Sequence, residues 1–466
     1  MLPSLTIEKY HYMHKILVMG AGRSAISLID YLIDNAEKES WSITVADANK
    51  QAAESMVAGR GKVSIVETDA TSESARRAVI EETDLVISML PAFLHVKVAH
   101  DCLELKKNLI TPSYISDEMK EMASDVESAG LSFMNELGVD PGIDHMSAMR
   151  LLDTTRDAGN EITCFESFTG GLVAPESDNN PWNYKFTWNP RNVVLAGQGG
   201  AVKFKHNGRF KYIPYQRLFR RTEIIEIPKY GRFEGYANRD SLKYRELYDL
   251  MEVPTIYRGT LRRTGFCRAW NVFVQMGMTD DSYIMEGSDQ MTHREFTNSF
   301  LAFNPDDSVE LKLMHYMKLD QDSEITDKLK WLGIFDDTPI GLEKASTPAQ
   351  ILQKILEKKW TLSEGDKDMI VMWHKLKFKA PGATEEREVH SSMVVIGDVQ
   401  PRTAMAKTVG LPVGIAAKLL LNGTISRKGV YAPMYKDIYE PILEELEKND
   451  IKFEERELSP QEKKIV

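Results

Sequence analysis

Between residues 15 and 137, six short apolar runs alternate with helix-patterned stretches, and few folds accept that rhythm. The runs are KILVMG (15–20), WSITVAD (41–47), VSIVETD (63–69), DLVISML (84–90), NLITPS (108–113) and LSFMNEL (131–137). Helical patterns separate them at Ser24–Ala36, Lys50–Ala58, Ser72–Glu82, His95–Leu105 and Glu118–Ala129. Continuously apolar strands joined by helices are covered on both faces, which predicts an α/β, doubly wound parallel Rossmann sheet over residues 1–138. Ligands of such sheets bind at the carboxyl ends of the strands.

The first strand-to-helix turn reads Gly20-Ala21-Gly22-Arg23-Ser24-Ala25, a G-x-G-x-x-A variant. Gly20 suits a tight turn, Gly22 lets backbone approach a pyrophosphate, and small Ala25 allows close helix–strand packing. Arg23 and Ser24 open the helix, whose free N–H groups face phosphate. Asp47 ends the second run and can accept both adenosine-ribose hydrogen bonds while repelling a 2′-phosphate, so the expected cofactor is NAD and not NADP. Asp69, ending the third run, is a weaker candidate for the adenine edge and equally a turn carboxylate.

The 466 residues carry 58 Lys+Arg against 69 Asp+Glu, a formal charge of −11. That balance argues against nucleic-acid or membrane-surface partners, so any anion site must be built locally from arginines. Cys102, Cys164 and Cys267 lack disulfide or zinc-ligand spacing, and the histidines lack ligand spacing, so no metal is expected. No secretory pattern opens the chain and no stretch approaches 18 apolar residues, giving a cytoplasmic expectation. Residues 1–12 read as a short extension or a start-codon artefact.

After the sixth run comes Gly138-Val139-Asp140-Pro141-Gly142-Ile143-Asp144-His145, a turn opening a helix at the expected ligand-binding edge. Asp140 and Asp144 are each a helix cap or a site carboxylate. His145 is a proton-transfer candidate that suits a structural role better.

Further segments carry a family resemblance. They include VISMLPAFLH (86–95), ITPSYIS (110–116), NELGVDPGIDHMSAM (135–149), GGLVAPESDNNPWNYKFTW (170–188), EGYANRDSLKY (234–244), RGTLRRTGF (258–266) and AMAKTVGLPVGIAAKLLLNG (404–423). In consistent order over nearly the whole chain, they resemble the glutamate-forming saccharopine dehydrogenases and reductases. The tail looks more like the NAD-using dehydrogenase half of the bifunctional lysine-degrading enzyme than the fungal NADP user. One departure is Thr169-Gly170-Gly171, where the family often has Cys-Gly-Gly, so a thiol role there is absent.

The resemblance implies oxidative cleavage of saccharopine. A hydride leaves the lysine-side carbon for the nicotinamide, and water splits the resulting iminium into glutamate and 2-aminoadipate semialdehyde. Such a site must hold carboxylates, position a C–H bond and move protons. By resemblance Arg239 and Arg262 are the carboxylate clamps, with Ser113, Thr260 and Leu261 adding contacts. On a strand, Arg262 and Arg263 would point to opposite faces. The resemblance makes Asp140 the acid/base or ammonium anchor and Tyr114 its hydrogen-bonding orienter, and adds Leu90, Pro112, Ser113, Val139, Asp140 and Pro141 to the cofactor contacts. Aromatics of NYKFTW (183–188) either line the pocket or pack a core.

A second, α+β substrate domain is expected over 139–284 and 366–400, with strands at 162–168, 193–197, 201–206, 222–228, 369–378 and 388–397. A helical insertion fills 285–365, and residues 401–466 return against the Rossmann domain. A homo-oligomer, as a dimer, is expected. Alternatives are a carboxynorspermidine-type dehydrogenase of the same family, or a catalytically silent nucleotide-binding regulator.

Overall fold

The computed structural model describes residues 12–459, so residues 1–11 of the expected extension and residues 460–466 lie outside the described residues. The chain divides into two compact units. Among the described residues, one holds residues 12–150 and Met405–Lys452; the other holds Leu151–Ala404 and residues 453–459.

In the first unit the apolar runs become β1 (His14–Met19), β2 (Trp41–Asp47), β3 (Val63–Glu67), β4 (Leu85–Ser88), β5 (Asn108–Ile110) and β6 (Ser132–Met134). All neighbours pair in parallel, in the order 6-5-4-1-2-3. Side chains from Ile16 to Met19 are at most 1% exposed, which is why β1 reads as an unbroken apolar run. The order reverses between β1 and β4, the topological switch point of a doubly wound sheet.

The second unit is built on β7 (Glu161–Val173), the hairpin β8 (Val202–His206) and β9 (Arg209–Ile213), β10 (Thr222–Ile227), β11 (Gly231–Ala237), β12 (Thr255–Arg263), β13 (Asp368–Lys379) and β14 (Glu386–Ile396). Pairing is antiparallel except between β12 and β7. Trp182, Trp270, Trp360, Phe266 and Phe273 interlock in its core, with Trp182 stacked on Phe273 at 5.9 Å. Five helices lie between β12 and β13; Phe266–Met276 comes first, and His293–Asn298, Val309–Met317, Glu324–Leu332 and Pro348–Trp360 fall within residues 285–365.

The chain then returns to the first unit through helix Ala404–Leu421, adds β15 (Gly429–Tyr431) in parallel beside β6, and ends with β16 (Glu454–Glu457) on β14.

Several expectations need correction. The Rossmann unit extends to Arg150 instead of residue 138, because helix Ile143–Asp157 begins within it. The returning segment stays only to Lys452, and its last strand joins the other unit. The sheet has a seventh strand, set between Arg427-Lys428 and Pro433 with no apolar run to announce it. Residues 193–197 do not form a strand: Asn189 caps a helix at Pro190–Val194 by accepting from the Arg191 N–H, and Pro190 at the first position outweighs the β-branched valines. Helix Ala404–Leu421 is long and apolar enough to cross a membrane, contrary to the reading of residue types, yet 67% of it is buried inside the fold. Gly410 and Gly414 admit Leu28 and Tyr31 of the first helix so closely that a Cβ would stand 2.6 and 2.7 Å from them.

Candidate active site

The glycine turn follows β1 at the switch point. Gly20 has φ +99°, and a Cβ there would meet the Met89 carbonyl at 3.0 Å and the Leu90 N at 3.3 Å. Leu90 therefore abuts the turn, and only glycine fits. A Cβ at Gly22 would meet nothing within 4 Å, so this residue faces open space where a phosphate can approach. Gly22 also caps the short helical turn Arg23–Ala25 without any side-chain cap, and only Ala25 N–H closes back on it, at 2.8 Å. The amides of that turn suit an anion.

Asp47 leans over the same turn. Its Oδ2 accepts the Ala21 N–H and its Oδ1 the Asn49 N–H, both at 2.7 Å. The carboxylate is thus fixed beside the glycine turn, and each oxygen keeps a lone pair for a ribose hydroxyl. Asp69 instead closes its own turn: Oδ1 accepts the Thr71 N–H and hydroxyl, which hold the carboxyl below its usual range.

Two neighbouring loops at the carboxyl ends of β5 and β6 carry the reactive candidates. Gly142, at φ +148°, lies so close to Gly138 that a Cβ would fall 2.0 Å from its carbonyl oxygen, and the Gly138 N–H donates to the Pro141 carbonyl at 2.8 Å. This tight loop carries Val139, Asp140 and Pro141, and Pro112 Cβ stands against Gly138. Across from it Tyr114, 41% exposed, donates its hydroxyl to Asp140 Oδ1 at 3.2 Å.

Glu136 fixes the Tyr114 loop from both sides. Its N–H donates to the Ser113 carbonyl and its Oε1 accepts the Ile115 N–H, both at 3.0 Å, while its Oε2 meets buried His145 Nε2 at 2.8 Å. His145 therefore serves the scaffold, and Asp144 accepts the Gly142 N–H.

His95 was missed as a site residue. Its Nε2 lies 2.7 Å from Ser113 Oγ and its Nδ1 2.9 Å from Ser88 Oγ, joining the ends of β4 and β5 beneath the Tyr114 loop. It shares the buried helix face of Leu94, Val98, Ala99 and Cys102, and a histidine within that apolar stripe was the available signal. Burial pushes its pKa down to about 4, so the ring is neutral at neutral pH. The unfolded chain binds a proton at about 6.5 that the folded chain refuses, so His95 costs stability as pH falls. Between about pH 7 and 5 the loss should be about 2 kcal/mol. Urea unfolding should show that increment in the parent protein and lose it in His95→Gln; equal pH slopes would refute the assignment.

In the second unit, Glu234 of β11 pairs opposite Arg262 of β12, and Phe233 opposite Arg263. Arg262 is 3% exposed, its guanidinium 5.0 Å from the Tyr184 ring, 5.5 Å from Phe266 and 5.8 Å from Tyr236. Its Nη1 donates to the Leu261 carbonyl at 2.8 Å, its buried Nε has no partner, and among the described residues no carboxylate is within ion-pair distance. Arg263 leaves by the other face, over Phe233, with Nη1 on the Tyr230 carbonyl. Leu261 is fully buried, and Thr260 lies beside Tyr236. Arg239 follows β11 in the left-handed region, φ +47°, with an exposed side chain. Tyr184 and Phe186 are core aromatics, with Tyr184 beneath Arg262. The cysteines are buried thiols, and among the described residues no three His, Cys, Asp or Glu side chains form a metal-binding group.

A doubly wound sheet with an open glycine turn and a carboxylate at the end of β2 defines a dinucleotide-binding fold. Comparison with known proteins narrows this. The family description "Saccharopine dehydrogenase NADP binding domain" matches residues 16–134 and "Saccharopine dehydrogenase C-terminal domain" matches 138–451, so the chain belongs to the saccharopine dehydrogenase family. It is 33% identical to the saccharopine dehydrogenase [NADP(+), L-glutamate-forming] of Schizosaccharomyces pombe, over 95% of this chain and 99% of that protein. It is 34% identical to the mitochondrial alpha-aminoadipic semialdehyde synthase of Bos taurus over 94% of this chain, but spans only 47% of that protein. The apo saccharopine dehydrogenase (L-Glu forming) of Saccharomyces cerevisiae superposes with a TM-score of 0.86 at 31% identity, covering 96% of this chain and all of that one.

Proposed function

We propose that the protein is a saccharopine dehydrogenase that cleaves saccharopine oxidatively to L-glutamate and 2-aminoadipate 6-semialdehyde. The observation that carries this reading is the Tyr114–Asp140 hydrogen bond at the ligand-binding edge of the dinucleotide sheet. Asp140 exchanges protons with the substrate amine and the attacking water, Tyr114 orients Asp140, and Glu136 and His95 hold the loop. Buried Arg262, with no carboxylate of its own, and exposed Arg239 supply forks for substrate carboxylates. The bound dinucleotide supplies the hydride acceptor.

The cofactor in this proposal is NAD, although the fungal relatives carry NADP(+) in their names. Asp47 supports it: a carboxylate locked onto the Ala21 amide repels a 2′-phosphate. Purified protein given saccharopine and NAD should form NADH, glutamate and semialdehyde. Inert saccharopine alongside turnover of a carboxynorspermidine-type substrate would reject the substrate assignment. Asp47→Ser should weaken NAD and relieve exclusion of NADP in steady-state kinetics. Unchanged discrimination would reduce Asp47 to a brace for the turn.

A further inference from the structure

Within the second unit a cavity of about 400 Å³ opens beside the end of β12. Glu234, Thr264, Gly265, Arg268, Glu324 and Lys328 contribute to its wall. Lys328 stands out: the residue is only 7% exposed, and its ammonium makes no ion pair or hydrogen bond among the described residues and ends at the cavity. Its Nζ lies 3.5 Å from the position a Cβ on Gly265 would take, which aims the charge into the cavity. The stem of the side chain is buried, while the ammonium keeps contact with the open space of the cavity, where a ligand anion can reach it.

The surroundings of Lys328 are built for an anion. Helical side chains lean toward the helix N-terminus, so Lys328 reaches back toward the first turn of helix Glu324–Leu332. There Ser323 Oγ accepts the Thr326 N–H, which leaves the Glu324 and Ile325 amides without intrahelical partners at the cavity wall. Exposed Arg268 brings a second cation from helix Phe266–Met276. Two carboxylates balance these charges: Glu324, and buried Glu234, one oxygen of which accepts the Cys267 N–H. A multiply charged anion would meet both carboxylates, and an uncharged ligand would leave Lys328 bare. A small zwitterion satisfies both signs. We propose that this cavity binds a free α-amino acid, with its carboxylate on Lys328 and the open helix amides and its ammonium toward Glu234.

The proposal is independent of the dehydrogenase assignment, since its readouts need neither dinucleotide nor turnover. L-Alanine and L-lysine at millimolar concentration serve as probes, with acetate and inorganic phosphate as anions lacking the ammonium. At least one amino acid should raise the Tm of the parent protein and of Arg262→Lys alike, and should titrate calorimetrically. Lys328→Met keeps the buried stem and should weaken that binding roughly tenfold or more, the loss of one charged hydrogen bond. Arg268→Gln, on an exposed side chain, should weaken it several-fold at unchanged basal Tm, which keeps the test valid if Lys328→Met folds poorly. No response to either amino acid overturns the proposal, as does a response that both pocket variants retain. A stronger Lys328-dependent response to phosphate than to either amino acid overturns the zwitterion assignment.

Discussion

Asp140→Asn should lower turnover with saccharopine by roughly 10²–10⁴-fold, the range for loss of a general acid or base. The substitution tests proton transfer with little change of shape. Asparagine can still accept the Tyr114 hydroxyl, now 3.2 Å from Oδ1, and the loop keeps the backbone bond from the Gly138 N–H to the Pro141 carbonyl. Dinucleotide affinity, read by fluorescence quenching or calorimetry, should hardly change. Tyr114→Phe removes the orienting hydroxyl and should also lower turnover, without moving the Glu136 contacts to Ser113 and Ile115. Near-normal turnover of Asp140→Asn across pH would make Asp140 an anchor for the substrate ammonium and move the proton carrier to Tyr114 or water.

Arg262→Lys should raise the Michaelis constant for saccharopine roughly 10- to 150-fold, equivalent to about 1.5–3 kcal/mol for one charged hydrogen bond. Lysine keeps the charge but loses the planar fork, and with it the stacking among Tyr184, Tyr236 and Phe266 that fixes the guanidinium. Because the residue is buried, the measurement must separate binding from folding. A raised KM at nearly constant turnover and Tm supports a carboxylate clamp. A lowered Tm with unchanged KM would make Arg262 a packing residue of β12.

The sequence discloses what is locally patterned. Strands β1, β4, β5 and β6 are largely buried and so appear as apolar runs, the edge strand β3 shows only by its β-branched residues, and the glycine turn is legible because backbone geometry at Gly20 demands glycine. Strand β15 escaped because Arg427-Lys428 and Pro433 bracket it and leave no apolar run, and Val193–Val194 misled because a proline after an asparagine cap decides the local conformation. The reactive loops divide the same way. The Gly138–Gly142 turn marks itself by composition, whereas the roles of Tyr114, Asp140, Arg239 and Arg262 came from resemblance. The supports of Tyr114 are long-range pairings, His95 with Ser113 and Glu136 with Ile115, and no local spacing encodes them.

The seventh strand has a consequence for how the protein can be made and dissected. β6 is complete by residue 134, but its outer neighbour, Gly429–Tyr431, emerges almost three hundred residues later. Until then the nascent first unit carries an unpaired strand edge, and the groups of helix 26–39 that meet Gly410 and Gly414 have no cover. A fragment ending at Arg150 keeps every glycine-turn residue yet exposes that edge to other chains. Expression of the dinucleotide unit alone therefore calls for grafting residues 405–452 behind residue 150, since ribosomal order and structural order do not coincide in this chain.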